Sequence, residues 1–533
     1  MEEEIEKRKS KLNKFFFNWV KDNYDKIFIA VLILAFAVRF WIFLRTMNQP
    51  LWWDEADYLS VGKKLGLGLN IRDIWYYRRG FLFPLISALF FKIGLGEAGV
   101  RFLIVLFSTG IVAVSYFLIS KMFNKKLALL ATLGLSLSWI LLFFTGRILT
   151  DIPSTFFLLL SLLLFWKGYV LKEGNKFLYL FAVFLALAIL TRMQSFMLVP
   201  PFLIFIFIKE KFKMFKNKKL WITLGIFVLL LVPQFILYSV HYGNPLTDIA
   251  SHYFGVASSS NPVLEGNKRV FSMDIFNYFK DLPYMLSIPI FIALIAGIFY
   301  FFSDLFIGFD KLFKNEFLQN KFFVLVWILC LFLIMGYIGS VSYVEQRYIT
   351  AGLPFLFLIA ISPILLIGEV LIKHVHLNKK FAMFLVFIIL SLLLISNFMW
   401  TNSLLENKKN SYLEVEQAGL WIKANSAPTD IIISDSLPQM TYYSERSTYS
   451  FEIYQEGLRK GDKELLTYPD GEEGFELFIK DKKPKYATLS AFEQYADWVY
   501  SYPQAHNDTM IPIQVYQQNQ QPVFIIYEFE YGN

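Results

Sequence analysis

The sequence predicts a polytopic α-helical membrane protein carrying a C-terminal soluble α/β domain. Three observations lead there. Of 533 residues, 56% are hydrophobic, 19% aromatic and only 18% charged, whereas a soluble chain is about a quarter charged. Apolar runs of roughly 20 residues, each long enough to cross a ~30 Å hydrocarbon layer, recur from Lys26 to Trp400. Beyond residue 400 the composition turns polar. A soluble enzyme, a fibrous protein and a disordered tail are excluded. The formal net charge of +8 does not mark a nucleic-acid binder, because the basic residues sit in short loops between apolar runs. The single cysteine, Cys330, lies inside such a run, so no intrachain disulfide forms and the redox compartment stays unread.

Residues 1–26 read as a cytoplasmic tail, acidic and then basic, with Lys7, Arg8, Lys9, Lys11 and Lys14. The run after Lys26 is of full spanning length and has no small-residue cleavage site, so it reads as a retained helix and not a signal peptide. Spans are expected near 27–46, 100–120, 127–146, 152–171, 177–191, 195–208, 220–240, 284–303, 322–341, 348–371 and 381–400. A shorter apolar stretch, 80–95, is interrupted by Pro84, Lys92 and Gly94. The loops 121–126, 209–219 and 373–380 are rich in lysine, as is the N-terminal tail. All four share the cytoplasmic side, where lysine and arginine accumulate, only if 80–95 does not cross. The expectation is therefore eleven spans plus one interfacial helix, within a membrane domain of 27–400 whose first outer loop is 47–99.

Lysine and arginine then separate. Loops on the cytoplasmic side hold lysine, whereas Arg39, Arg45, Arg72, Arg78, Arg79, Arg101, Arg147, Arg192 and Arg347 fall at or near the outer side. Arginine grips phosphate or carboxylate with a planar fork. Any one of these is accounted for by snorkelling or a local salt bridge; the group points to an anionic ligand at the outer leaflet.

The tail, 401–533, reads as an extracytoplasmic α/β domain. Tyr412 to Asn425 has helical spacing, Asp430 to Ser434 is a short β run, and Leu437 to Tyr443 is a further helix. Later strands are expected at Tyr486 to Leu489, Ile511 to Tyr516 and Val523 to Phe529. With no glycine-rich phosphate loop and no metal-ligand spacing, it reads as a cap or acceptor-docking module.

The chemistry is concentrated in Trp52-Trp53-Asp54-Glu55-Ala56-Asp57-Tyr58, directly after the first span. Tryptophans are ordinary at a membrane interface, but carboxylates beside a low-dielectric wall are penalised unless used or paired. A carboxyl there is expected to have a raised proton affinity and to serve as a general base. A second acid follows at Arg147-Ile148-Leu149-Thr150-Asp151-Ile152-Pro153, and a third turn reads Glu345-Gln346-Arg347-Tyr348. Each alone is an ordinary helix-end ion pair; together they gather carboxylates and arginines on one membrane face.

Asp54-Glu55 followed by Tyr58, Arg101 after a glycine-rich turn, Asp151 with Pro153, and Arg347-Tyr348 leading to Pro354 resemble, in order and spacing, the GT-C glycosyltransferases. Within that superfamily the chain is similar to the dolichyl-phosphate-mannose–protein mannosyltransferase and lipid A aminoarabinose transferase branch, over residues 27 to 372. The resemblance implies transfer of a sugar from a dolichyl- or undecaprenyl-type phosphate to a protein, glycan or lipid acceptor at the outer face of the cell membrane. It casts Asp54 as the base of an inverting single displacement and Asp151 as the second acidic position, with Glu55 beside them. Arg347, Arg192, Tyr348 and Arg79 would hold the donor phosphate, and Tyr58, Arg147 and Glu345 the substrate. The chain departs from the pattern at Arg78-Arg79-Gly80, where relatives carry His-Pro-Pro or a Glu/Lys-Pro step, so donor and acceptor identity do not carry over. A divalent cation held by His241 or His252 with Glu55 or Glu97 stays open. A transporter or lipid flippase is the competing reading. It would place ionisable groups near the bilayer midplane on broken helices, whereas here the acids crowd one end.

Overall fold

A computed structural model describes residues 20, 22–76, 79–243, 275–312, 314–341 and 344–532. The basic tail 1–19, Arg78 and His252 lie outside them.

The membrane-type helices follow the apolar runs. In chain order they are α1 (Asn23–Thr46), α2 (Trp53–Leu67), α3 (Leu82–Lys92), α4 (Gly96–Met122), α5 (Lys125–Ser136), α6 (Trp139–Thr145), α7 (Asp151–Phe165), α8 (Asn175–Thr191), α9 (Pro200–Glu210), α10 (Lys218–Tyr242), α11 (Asn277–Leu286), α12 (Ile288–Ile307), α13 (Glu316–Val341), α14 (Leu353–Lys373) and α15 (Lys379–Asn407). Among the described residues, eight helices are long and apolar enough to span, or nine if α5 and α6, bent by 53°, form one span. This differs from the expected eleven for local reasons. The 177–191 run is the 17-residue α8. The 195–208 run is divided between a 3₁₀ turn, Met193–Leu198, and α9, which begins at Pro200-Pro201, because proline starts a helix and does not continue one. Helix α3 has 11 residues, well short of the ~20 that cross a bilayer.

The α5–α6 break has a visible partner. Arg39, fully buried in α1, donates to the carbonyl of Ser136 at the end of α5 and to Ser108 Oγ on α4, at 3.0 and 2.7 Å. A carbonyl freed by a helix break inside an apolar bundle needs such a donor. The break aims α6, with Trp139, Phe143 and Phe144, toward the end of the bundle that holds the acids.

Cations divide between the two ends. Lys125 pairs with Asp22 and Asp25, Lys126 with Glu369 and Lys321 with Asp304 at one end. Arg79, Arg147, Arg192 and Arg347 gather at the other.

After α15 come α16 (Leu413–Asn425), β1 (Ile431–Ser434), α17 (Leu437–Ser444), β2 (Ser447–Tyr449), α18 (Ile453–Lys460), α19 (Glu472–Lys482), β3 (Tyr486–Ser490), α20 (Asp497–Ala505), β4 (Met510–Gln518) and β5 (Gln521–Phe529). The sheet order is β2-β1-β3-β5-β4, parallel across β2-β1-β3 and antiparallel beyond. Ile432 and Ile433 of the inner strand β1 are both fully buried, as a strand covered on both faces requires. The unit docks on the bundle through α17: Ser60 Oγ donates to Pro438 O, Leu51 N–H donates to Tyr443 Oη, and Tyr442 Oη donates to Glu97.

Helix α2, which carries the acids, is seated on α3 by two glycines one turn apart. A Cβ on Gly66 would lie 2.5 Å from the Ala88 carbonyl, and one on Gly62 2.7 Å from Ser87 Cβ; small residues let helix backbones meet this closely in membranes. Gly66→Val should therefore wedge α2 from α3 at a cost of about 1–3 kcal/mol. A lowered thermal midpoint in detergent is expected; an unchanged one would show that the helices part freely.

Candidate functional site

The site is built at the end of the bundle where α2, α7 and α8 meet two irregular segments. Asp54 and Glu55 occupy the first turn of α2, where carboxylates complement the helix dipole. Neighbours on a helix point about 100° apart, and the two acids have different fates. Glu55 is fully buried and accepts from Trp52 N–H at 2.6 Å and Ile148 N–H at 2.7 Å, with Arg147 at 3.4 Å. It ties α2 to the 146–150 turn and does not face open space. Arg147 lies 3.9 Å over the Trp52 ring and so supports a wall from behind.

Asp54, 30% exposed, faces a cavity. Arg347, in the 3₁₀ turn Gln346–Ile349, donates to its Oδ2 at 2.9 Å, and Arg79 to its Oδ1 at 3.1 Å. Arg347 lies 3.8 Å from Asp151 and 3.5 Å from Glu345. Asp151 opens α7, and Arg192, at the end of α8, reaches it at 3.2 Å. Charge therefore alternates along Arg79–Asp54–Arg347–Asp151–Arg192. Tyr348 is packed between two of these cations, its ring 4.8 Å from the Arg192 guanidinium and 5.6 Å from that of Arg347. Tyr58 shares a hydrogen bond with Thr150 Oγ1 at 3.2 Å, and Arg192 donates to that same hydroxyl.

One expectation reverses here. Burial pushes the Asp54 carboxyl up, as anticipated, but the charges of Arg79 and Arg347 outweigh it and hold it at about 2. Asp57 and Glu345 are pushed up instead, both mainly by burial. Arg347 is held protonated above its ordinary value, burial opposing and Asp151 and Asp54 prevailing.

The cavity has a volume of about 520 Å³. Asp54, Glu345 and Arg347 form its polar end; Trp52, Trp53, Trp139, Phe143, Phe144 and Tyr284 form an aromatic wall, and Lys408 and Tyr412 also line it. A separate small void of about 30 Å³, also lined by Arg347, is bounded by Asp151, Arg192, Tyr348 and Thr350 and by the apolar Leu158, Leu331 and Met335.

Residues beyond the predicted set hold the site in place. Arg79 sits on an irregular segment whose turn is fixed by Gln234 of α10, which accepts from Phe81 N–H and donates to Arg79 O, at 3.1 and 3.2 Å. Gly80 is required because a Cβ there would lie 2.2 Å from Leu190 O. Asp57 Oδ2 lies 2.8 Å from Arg79 Nη1, an ion pair without hydrogen-bond alignment. Gln234 and Gly80 carried no local signal; Asp57 stood in the acidic run. Of the residues named for a divalent cation, His252 lies outside the described residues and the two glutamates have other partners. Glu55 is committed as above, Glu97 takes Arg101 and Tyr442, and no three His, Cys, Asp or Glu converge among the described residues.

The fold is similar to that of solved membrane glycosyltransferases of the GT-C class, in line with the resemblance read from the residues. The family model described as dolichyl-phosphate-mannose-protein mannosyltransferase matches residues 78–237, less than a third of the chain. The structure is similar to ArnT from Cupriavidus metallidurans, solved bound to undecaprenyl phosphate, with a TM-score of 0.63 and 14% identity over 96% of this chain and 98% of that one. It is also similar to the oligosaccharyltransferase AglB from Archaeoglobus fulgidus, solved with an inhibitory peptide and a dolichol-phosphate, with a TM-score of 0.60 and 15% identity over 88% of this chain and 70% of that one. No curated protein matches the sequence significantly.

The two neighbouring acids should separate in a stability measurement. Glu55→Gln removes the charge from bonds to two buried N–H groups and Arg147, at a cost of about 1–3 kcal/mol. Asp54→Asn leaves Arg347 with Asp151 and Arg79 with Asp57, so its melting temperature should stay near that of the wild type. Equal losses would contradict this division.

Proposed function

We propose that the chain is an integral-membrane glycosyltransferase moving a sugar from a polyprenyl phosphate to an acceptor at the outer face of the cell membrane. In this reading the N-terminus is cytoplasmic and residues 401–533 form an extracytoplasmic domain. The observation that carries the reading is Asp54 on the cavity, bridged by Arg347 and Arg79 and backed by an aromatic wall. It is supported by the family match and by the ligands in the two solved structures. Lysine at one end of the bundle and arginine at the other supports the orientation.

The aromatic wall suits the first prenyl units of a lipid that cannot leave the bilayer. The arginines suit its phosphate. The same arginines also explain why Asp54 is a poor base in the free protein. A donor phosphate that engages Arg347 and Arg79 neutralises their charge and draws them from Asp54, whose proton affinity then rises. Asp54 accepts the proton of an acceptor hydroxyl as its oxygen attacks the anomeric carbon. The bond from that carbon to the phosphate oxygen breaks, and the electron pair leaves with the polyprenyl phosphate, whose growing charge the arginines stabilise. Attack opposite the leaving group inverts the anomeric centre. Asp151 orients Arg347 and Arg192; Glu55 and Arg147 hold the framework. The acceptor is a protein, a glycan or a lipid.

Purified protein given dolichyl- and undecaprenyl-phosphate sugars with membrane acceptors should release polyprenyl phosphate only when acceptor is present. Asp54→Asn should reduce that rate by at least about 10²-fold, the low end of general-base contributions, while still binding donor. Equal release by both proteins would remove Asp54 as the base. Donor binding without release by the wild type would favour a transporter or flippase.

A further inference from the structure

The lysine end of the bundle holds a second cavity, about 280 Å³ in volume, that shares no residue with the one beside Asp54. It is lined by the α4–α5 turn, the C-terminal halves of α12 and α14, and the first turns of α13. It therefore lies where helices end, the level at which a bilayer places its head groups. Phe123, Phe301 and Phe317 form its aromatic walls. Tyr300 and Leu366 line it and are exposed. On the same two helices Phe299, Phe306, Ile307, Ile367 and Val370 are exposed as well, an apolar flank beside the cavity.

Two ion pairs line this cavity. Asp304 and Glu369 lie in the closing turns of α12 and α14, where a carboxylate opposes the helix dipole and needs a cation. Lys321 and Lys126 supply one each, at 2.7 and 3.7 Å. The second separation is too long for a hydrogen bond. Lys321 is 5% exposed, and its ammonium sits 5.0 and 4.7 Å from the centroids of the Phe301 and Phe317 rings. An ammonium has three donors, and among the described residues Lys321 makes one hydrogen bond, to Asp304. Donors withdrawn from water and left without acceptors are costly.

The cavity thus presents donors from two lysines and lone pairs from two carboxylates, with no net charge. A purely anionic ligand would meet Asp304 and Glu369; a purely cationic one would meet Lys321 and Lys126. One that carries both signs suits all four.

We infer that this cavity binds the head group of a zwitterionic phospholipid of the phosphoethanolamine class. Its phosphate accepts from Lys321 and Lys126, and its ammonium donates to Asp304 and Glu369. A primary ammonium brings three N–H donors to the two carboxylates, whereas a quaternary one brings none and is held only by charge and by the rings. The acyl chains lie along the apolar flank of α12 and α14. Bound there, the lipid ties α12, α13 and α14 to the α4–α5 turn. The inference does not rest on the transferase reading, since no donor or acceptor takes part.

The test gives the full-length protein, purified in detergent, synthetic phosphatidylethanolamine, phosphatidylcholine or phosphatidylglycerol with identical acyl chains. Native mass spectrometry should show one phosphatidylethanolamine retained per chain, and the thermal midpoint should rise with its concentration. Phosphatidylcholine should bind about tenfold more weakly, having lost its charge-assisted hydrogen bonds, and phosphatidylglycerol more weakly still. Soluble glycerophosphoethanolamine, the head group without chains, should need a concentration at least about a hundredfold higher. Lys321→Met strips Asp304 of its cation and is the less stable variant, so the partly exposed pair carries the test. Lys126→Gln and Glu369→Gln should each fold and weaken phosphatidylethanolamine binding about tenfold. Glu369→Gln should also narrow the preference over phosphatidylcholine. Lys218→Met, exposed at the start of α10 and outside the cavity, is the control and should change nothing. Equal retention of the three lipids, a preference for phosphatidylglycerol, or unaltered binding in both glutamine variants would each overturn the inference. So would a soluble head group as effective as the lipid. None of these outcomes bears on release of polyprenyl phosphate, which stands or falls by its own assay.

Discussion

A largely buried run of alternating charge, Arg79–Asp54–Arg347–Asp151–Arg192, is the constraint around which this end of the molecule is organised. Removing charges from water costs several kcal/mol per ion, and one left unpaired in a low-dielectric interior is strongly destabilising. Each of the five therefore needs at least one opposite charge beside it. They come from α2, the segment 79–81 ahead of α3, α7, the end of α8 and the 344–350 turn. Satisfying them requires that these segments meet. The second pair, Glu55 with Arg147, adds the 146–150 turn to the same assembly.

The same constraint gives the site its proposed chemistry. A carboxylate held by two arginines is stable but unreactive, and an anion that takes those arginines makes it reactive. Binding and activation of the base are then one event. The aromatic wall beside Asp54 contributes a surface that excludes water, and in a low-dielectric site charge interactions of this kind strengthen. Arg39 supports that wall from a distance, by satisfying the carbonyl exposed where α5 ends and α6 turns toward the cavity.

The C-terminal unit takes part in this construction. Helix α17 packs on α2, and α18 holds the stretch that carries Arg79. A cap or docking module, as read from its composition, understates this: its side chains supply hydrogen bonds and counter-charges that the loop lacks.

Much of the architecture was legible in the sequence. Hydropathy marks spans because each apolar run must satisfy its own backbone in lipid, and β1, β3 and β5 show as short runs rich in Ile, Val, Tyr and Phe. The three-residue β2 is too short to show a pattern, the helices α18, α19 and α20 are amphipathic but run only two to three turns among turn residues, and the α5–α6 break falls inside a continuous apolar run, so none of these is among the expected elements. The chemical groups of the site were also legible, since acids and arginines beside a membrane need a reason to be there. Their pairing was not. Asp54 and Glu55 are indistinguishable as letters, yet one turns to the cavity and the other to the core, and the raised proton affinity expected of Asp54 is reversed by two arginines. One of those, Arg347, is 293 residues away along the chain. Composition and local pattern decide which charges lie near the interface; only packing decides which of them touch, because ion pairing depends on distance in space and not along the chain.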